Sequence, residues 1–208
     1  MERVVLVRHA LAASNRDGMC SYAPPGEGLT PDGVEQARQL RAVLEDEPID
    51  LGVATELRRT QETLELALDG RRVPTIVVPE LNEINFGSFE GGLLDRYRTW
   101  AGAEQPTTPA PGGGESRAGA AARFARGLRA VLTRPERAAL VVGHALVVRY
   151  VLDAAVGLAP AARMAPLEHA IPFRLEASEV EAAAQLLEGW SGDPRFRLEV
   201  AEASELGR

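Results

Sequence analysis

Short apolar runs alternate with amphipathic stretches over most of the 208 residues. The first run, from Val4 to Val7, is continuously apolar and rich in β-branched residues, which is typical of a strand buried on both faces. Five later runs also predict strands, at Ile49 to Ala54, Val73 to Val78, Ala138 to Val142, Pro172 to Leu175 and Arg195 to Val200.

Helix signals separate these runs. Thr30 followed by Pro31 forms an N-cap with proline at the first helical position, and an apolar stripe continues that helix to about Glu45. Ser116 is a candidate cap for a second long helix. Other stripes predict helices over 57–70, 146–156 and 180–187, with partial helix near 94–100. Residues 12–28 hold too many turn formers for a regular element.

This order of elements predicts an α/β fold with a mainly parallel central sheet and helices on both faces. Residues 79–114 interrupt the pattern, because they are rich in glycine, proline and threonine and have no sustained apolar period. We expect them to form a small lid lobe over one sheet edge. We interpret residues 1–208 as a single domain that carries this lobe.

Composition excludes several classes of protein. The net charge of −7 argues against a nucleic-acid partner, whose phosphates need a basic surface. The single cysteine, Cys20, excludes an internal disulfide framework and a multi-cysteine metal site. Only four apolar residues precede Arg8, so we expect no signal peptide, no membrane association and a cytoplasmic location. The sequence leaves the oligomeric state open, a homodimer included.

Candidate chemistry lies where the predicted parallel strands end. Charged or imidazole side chains follow the first four strands, in chain order Arg8 and His9, Arg58 and Arg59, Glu83, and His144. The carboxyl ends of parallel strands share one sheet edge, so we expect these side chains to converge there. Burying clustered cations without a counter-charge costs free energy. The cluster therefore predicts that an anionic ligand binds at this edge.

These residue types suit phosphoryl transfer. A neutral imidazole at His9 is a nucleophile toward phosphorus, and neighbouring Arg8 and Arg59 would disfavour its protonated form. The same cations would stabilise the oxygens of the transferring group. Glu83 fits the carboxyl group needed to protonate the leaving alkoxide and then activate water. Because arginines supply the positive charge, we expect neither a metal nor a cofactor.

At these positions the chain resembles the histidine phosphatases, also called the phosphoglycerate mutase-like superfamily. Arg8-His9-Ala10 stands at the family's Arg-His-Gly motif, and Asn15 matches its asparagine a few residues later. The other matching segments, in family order, are Leu57 to Thr63, Leu81 to Gly91, Gly113 to Ser116 and Val141 to His144. The resemblance covers roughly residues 3 to 157.

The resemblance implies a role for each matching residue. It implies that His9 is the phosphate-accepting nucleophile and Glu83 the proton donor. It also implies phosphoryl-oxygen ligands at Arg8, Arg59 and His144, and a phosphate or substrate contact at Asn15. Its spacing selects Arg59 rather than Arg58 as the catalytic arginine.

Some positions depart from the family pattern. Ala10 replaces a glycine, which requires that this position avoid positive φ. Leu11 replaces a common Glu or Gln, and Thr55-Glu56 replaces Ser-Pro. His169 lies near where members often carry asparagine, and we interpret it as a structural or rim residue, since a lone histidine more often satisfies a local hydrogen bond.

Three functions fit these observations. The favoured one is a phosphatase that hydrolyses a small phosphorylated metabolite through a phosphohistidine, with inorganic phosphate as product ligand. The second is a phosphoglycerate mutase; the family's mutases carry a longer lobe than the chain offers between Glu83 and Glu115. The third is a catalytically impaired phosphate-binding or regulatory module, against which the presence of His9, Glu83 and His144 argues.

Overall fold

A five-stranded sheet forms the centre of the molecule. The computed structural model describes residues 1–197. Its strands are β1 (Arg3–Arg8), β2 (Leu51–Ala54), β3 (Thr75–Val77), β4 (Ala138–Gly143) and β5 (Pro172–Glu176). Their order across the sheet is β3-β2-β4-β1-β5, and only β5 runs antiparallel to its neighbour. The predicted mainly parallel sheet is therefore confirmed.

Seven α-helices surround the sheet in the described part of the chain. They are α1 (Ala13–Arg16), α2 (Pro31–Val43), α3 (Arg58–Ala67), α4 (Leu94–Ala103), α5 (Arg117–Leu132), α6 (Ala145–Ala155) and α7 (Ala177–Gly192). Both predicted caps are present: Thr30 Oγ1 accepts from the Gly33 amide, and Ser116 Oγ accepts from the Gly119 amide, each at 3.0 Å. None of the helices within residues 1–197 is long and apolar enough to cross a membrane.

Each face of the sheet has its own core. Val4 and Leu6 of β1 pack on the face covered by α5, α6 and α7. Val5 and Val7 pack on the opposite face, with α2 and α3. Alternate residues of one strand thus enter different cores, which explains why β1 is apolar without interruption. Helices lie on both faces, as predicted.

Two local predictions need correction, and a third lies partly outside the described residues. Residues 12–28, predicted to hold no regular element, contain the short helix α1, in which the amides of Asn15 and Arg16 both donate to the Ala12 carbonyl at 3.1 Å. The helix predicted over 180–187 is longer and begins directly after β5, at Ala177. The strand predicted at Arg195 to Val200 extends beyond the described residues, and its described part forms only one bridge, between Ala161 and Arg197.

The 79–114 segment contains two 3₁₀ turns, Pro79–Leu81 and Gly87–Phe89, followed by α4. Gly87 has φ +57°, and a Cβ there would lie 2.2 Å from the Pro111 carbonyl oxygen. A side chain at this position would therefore be both strained and in collision. This close approach brings the second 3₁₀ turn of the segment against its last residues, near Pro111.

Candidate active site

Strand register brings two histidines together. Arg8 of β1 pairs with Gly143 of β4, so His9 and His144 follow at the same level of the sheet edge. The His9 amide donates to the Gly143 carbonyl at 2.9 Å. The two imidazole rings lie 5.3 Å apart, centroid to centroid, in an edge-on arrangement. The predicted convergence of the first and fourth strand ends is observed.

Arg59 lies between these rings. It is in the first turn of α3 and only 2% exposed. Its Nε donates to His9 Nε2 at 3.2 Å, and its Nη2 contacts His144 Nδ1 at 3.3 Å. The neighbouring Arg58 instead points outward and pairs with Glu62. The structure therefore places Arg59, rather than Arg58, in the site.

The hydrogen bonds of His9 determine which ring nitrogen carries its proton. Nδ1 lies 2.7 Å from the Ala10 carbonyl oxygen, which can only accept, so Nδ1 must be the donor. An arginine nitrogen can only donate, so Nε2 presents its lone pair to Arg59. Burial, reinforced by the charge of Arg59, holds the pKa of His9 well below its usual range. His9 is thus a neutral imidazole with its Nε2 lone pair facing the site.

Arg8 places a second guanidinium at this edge. Its Nη1 donates to the Leu167 carbonyl, while its buried Nε has no hydrogen-bond partner among residues 1–197. Burial lowers the pKa of Arg8 to about 10, and the negative charge of Glu83 opposes that shift. A donor without a partner in a cationic site is suited to an anionic ligand.

Glu83 lies beside these cations. It lines the same cavity as Arg8, His9 and Arg59. Burial raises the pKa of Glu83, although the nearby Arg59 and Arg8 oppose the shift. A carboxyl group with a raised pKa retains its proton at higher pH than an ordinary one, and can therefore serve as a general acid.

Arg123 of α5 holds the backbone around Glu83. Its guanidinium donates to the carbonyl oxygens of Glu80 and Asn82, both at 2.9 Å, and to that of Glu83 at 3.3 Å. It also forms a two-pronged ion pair with Glu115, at 2.9 and 2.7 Å. Sequence reasoning missed this residue, because these contacts join positions about 40 residues apart.

Two hydrogen bonds join the segment before β5 to the backbone of Arg8 and His9. The Ala170 amide donates to the Arg8 carbonyl at 2.9 Å, and His169 Nδ1 donates to the His9 carbonyl at 2.7 Å. Ala170 has φ +56°, an uncommon backbone conformation for alanine. Burial and the charge of Arg8 lower the pKa of His169 to about 4. These contacts agree with the structural interpretation of His169.

The early loop, residues 12–28, supplies further parts of the site. Arg59 Nη2 donates to the Ser21 carbonyl at 2.8 Å, a contact that sequence reasoning did not anticipate. Asn15 lies on the cavity wall, and its Oδ1 accepts weakly from the Ala12 amide at 3.4 Å. Ala10 is fully buried and is not among the positive-φ residues, so its replacement of glycine carries no backbone strain.

A cavity of about 640 Å³ opens over Arg8, His9, Arg59 and Glu83. The fully buried His144 does not line it, and contacts the cavity residue Arg59 instead. The walls of the cavity come from the early loop, the 79–114 segment and residues 162–167, and include Phe86 and Tyr97. The volume is typical of a small-molecule site. Within residues 1–197, no group of three or more His, Cys, Asp or Glu side chains is arranged to hold a metal ion.

The model of the histidine phosphatase superfamily (branch 1) matches residues 4–185. The chain belongs to this superfamily. Adenosylcobalamin/alpha-ribazole phosphatase of Escherichia coli is 36% identical over 120 residues, a match that covers 54% of this chain and 59% of that protein. The chain thus matches little more than half the length of that relative.

Two other histidine phosphatase relatives match over more of the chain. The crystal structure of alpha-ribazole phosphatase from Shigella flexneri superposes with a TM-score of 0.69 at 28% identity, over 83% of this chain and 89% of that one. The Erwinia tasmaniensis protein named "Probable phosphoglycerate mutase GpmB" is 30% identical over 76% of each chain. The relatives of this member of the superfamily therefore carry the names of both phosphatases and a mutase.

Proposed function

We propose that this protein is a phosphatase that hydrolyses a small phosphorylated metabolite through a phosphohistidine at His9. The observation that carries the proposal is the orientation of His9. The Ala10 carbonyl holds the proton on Nδ1, and the Nε2 lone pair faces the guanidinium of Arg59. A neutral nitrogen nucleophile held against a buried cation suits attack on a phosphoryl group.

In the first step, the phosphoryl oxygens accept hydrogen bonds from the guanidinium groups of Arg8 and Arg59, and His144 lies next to them. His9 Nε2 forms a bond to phosphorus while the ester P–O bond breaks. The departing oxygen keeps the bonding pair and takes the proton of Glu83. The arginines stabilise the charge spread over the three equatorial oxygens.

In the second step, the carboxylate of Glu83 removes a proton from water as the water oxygen attacks phosphorus. The P–N bond breaks, its electron pair returns to His9 Nε2, and inorganic phosphate leaves. Glu83 is thereby protonated again for the next turnover. The support for this cycle is the presence of one carboxyl group with a raised pKa beside two arginines.

The organic part of the substrate would contact the 79–114 segment and residues 162–167. The cavity is large enough for a group well beyond phosphate itself. Two of the relatives are named as phosphatases of alpha-ribazole compounds. We therefore include an alpha-ribazole phosphate among the candidate substrates.

A mutase is the second candidate, because the relative with a mutase name matches 76% of the chain. The two functions differ in the acceptor of the phosphoryl group on His9. A phosphatase transfers it to water, whereas a mutase returns it to a hydroxyl group of the organic molecule. Release of inorganic phosphate in the amount of alcohol formed therefore distinguishes them.

The test is a panel of phosphomonoesters, including 3-phosphoglycerate and alpha-ribazole 5′-phosphate, assayed for phosphate release. We expect hydrolysis of at least one member, abolished in His9→Ala. The matched control is His169→Asn, which keeps a donor for the His9 carbonyl and should remain active. Isomerisation of phosphoglycerate without phosphate release would establish the mutase instead, and full activity of His9→Ala would refute both.

A further inference from the structure

A chain of hydroxyl groups lies behind His144. Its Nε2 is 3.0 Å from Thr55 Oγ1, and Thr55 Oγ1 is 2.9 Å from Thr60 Oγ1. All three side chains are fully buried. Because buried polar groups must be paired, the position of every proton in this chain can be assigned from its partners.

The assignment starts at Thr60. Its hydroxyl has one proton, and its shortest contact is 2.7 Å to the Leu57 carbonyl, which only accepts. Thr60 Oγ1 must then accept from the Thr55 hydroxyl and from the Thr55 amide. Since the Thr55 hydroxyl donates its only proton to Thr60, its oxygen must accept the hydrogen bond from His144. The proton of the neutral His144 ring therefore lies on Nε2.

The contact of Arg59 with the other ring nitrogen of His144 indicates the same tautomer. Its Nη2 can only donate, and it lies 3.3 Å from His144 Nδ1. The Nδ1 atom must accordingly present a lone pair. Two independent contacts, one with a hydroxyl and one with a guanidinium, thus select one tautomer of His144.

In this tautomer, His144 Nδ1 cannot donate a hydrogen bond to a bound phosphoryl group. An oxygen of the phosphoryl group would replace part of the Arg59 contact, and would then face the lone pair of His144 Nδ1. Two electron pairs repel unless a proton lies between them. A proton on Nδ1, or on the phosphoryl oxygen, turns the repulsion into a charge-assisted hydrogen bond.

We propose that Thr55 is a positioning residue which holds the His144 proton on Nε2, so that binding of a phosphoryl group takes up one proton between His144 Nδ1 and a phosphoryl oxygen. The inference rests on the proposed function only in requiring that this site bind phosphate. Thr55 touches no substrate; it acts through His144.

The charged groups around His144 determine when that proton is available. Burial lowers the pKa of His144, and the charges of Arg59 on α3, Arg123 on α5 and Arg8 on β1 lower it further. His9 lies edge-on to the ring and is itself neutral. A dianionic phosphoryl group would offset these cations, so ligand and proton favour each other's binding.

The first experiment measures binding of inorganic phosphate by calorimetry, in buffers of different ionisation enthalpy and between about pH 7.5 and 9. Uptake of one proton weakens affinity about tenfold per pH unit above the second pKa of phosphate. Thr55→Ser keeps the hydroxyl and should retain the slope. Thr55→Val offers Nε2 no acceptor, so the ring proton moves to Nδ1 and the slope should fall below about threefold per unit.

Glu83→Gln is the control for the cavity carboxyl whose pKa burial raises. We expect the slope to survive in that variant. A slope that disappears in Glu83→Gln and persists in Thr55→Val assigns the proton to Glu83 and overturns the proposal. Absence of phosphate binding at every pH would instead overturn the proposed function itself.

A second measurement needs no variant. The chain has only three histidines, so their ring nitrogens can be resolved by ¹⁵N NMR. We expect His144 to carry its proton on Nε2 without phosphate. With phosphate, Nε2 should stay protonated while Nδ1 gains a proton or a short bond to one. A ring that moves its single proton from Nε2 to Nδ1 would show tautomer exchange without uptake, and the proposal would be wrong.

Discussion

The Nε atom of Arg59 donates to Nε2 of His9 at 3.2 Å, within a site that leaves Arg59 only 2% exposed. The guanidinium is aimed at the lone pair that the proposed chemistry uses. For His9 to attack, phosphorus must lie along this lone pair, so a bound phosphoryl group displaces the Arg59 Nε from His9 Nε2, and its oxygens then accept hydrogen bonds from the guanidinium. This hydrogen bond joins the proposed nucleophile to the cation that would hold the phosphoryl group.

Arg59 and Arg58 give a matched pair of variants. Arg59→Ala should lower kcat/KM by about 10²–10³, because a desolvated contact made in the transition state is worth about 3–4 kcal/mol. Arg58→Ala should change it only several-fold, since an exposed ion pair such as that with Glu62 contributes about 1 kcal/mol or less. Steady-state kinetics of both variants decide the matter, and the reverse ranking would contradict the assignment of Arg59.

In the proposed cycle, Glu83 sets the pH dependence of the first step. Its protonated form donates to the leaving oxygen, so the rate should fall as pH rises through the raised pKa of this carboxyl. His9 must be neutral, and the lowered pKa of His9 keeps it so in mildly acidic solution. The kcat/KM profile for an alkyl phosphate should therefore decline with rising pH, with its inflection above the usual pKa range of a glutamate carboxyl.

Glu83→Gln should remove that decline and slow alkyl phosphates by about 10²–10⁴. An aryl phosphate with a good leaving group needs no proton in the first step. Its transfer to His9 should change by less than about tenfold, and the phosphoenzyme should then accumulate because water is no longer activated. Equal slowing of the first step for both substrates would argue against the general-acid role.

The arginines give the site its positive charge, so activity should not depend on a divalent ion. Arg8 and Arg59 line the cavity and supply the positive charge that a metal ion supplies in other phosphoryl-transfer sites. We expect phosphate release to survive treatment with EDTA and dialysis. Loss of activity on chelation, with recovery on adding magnesium or manganese, would contradict this expectation.

The parts of the site that follow strand ends were predictable from the sequence. Apolar β-branched runs locate β1 and β4, and parallel pairing then brings His9 and His144 to one edge. Family spacing distinguished Arg59 from Arg58, a distinction that apolar periodicity alone left open. These predictions succeeded because they depend on local pattern and on a general property of parallel sheets.

Contacts between distant segments were not predictable in this way. Arg123 reaches the Glu83 backbone from α5, and His169 reaches His9 across 160 positions of sequence. Thr55 stood out only as a replacement for serine, and its bond to His144 depends on how β2 and β4 align in space. No periodicity or motif of one sequence encodes such a pairing, because it arises from tertiary packing.

Trapping the phosphoenzyme tests the central claim most directly. Rapid acid-free quenching with ³²P-labelled substrate, followed by peptide mapping, should recover label on His9 that is stable in base and lost in acid. His9→Ala should carry no label, whereas Arg58→Ala should still become labelled. Label that persists in His9→Ala, or that maps to His144 or His169, would contradict the assignment of His9 as the nucleophile.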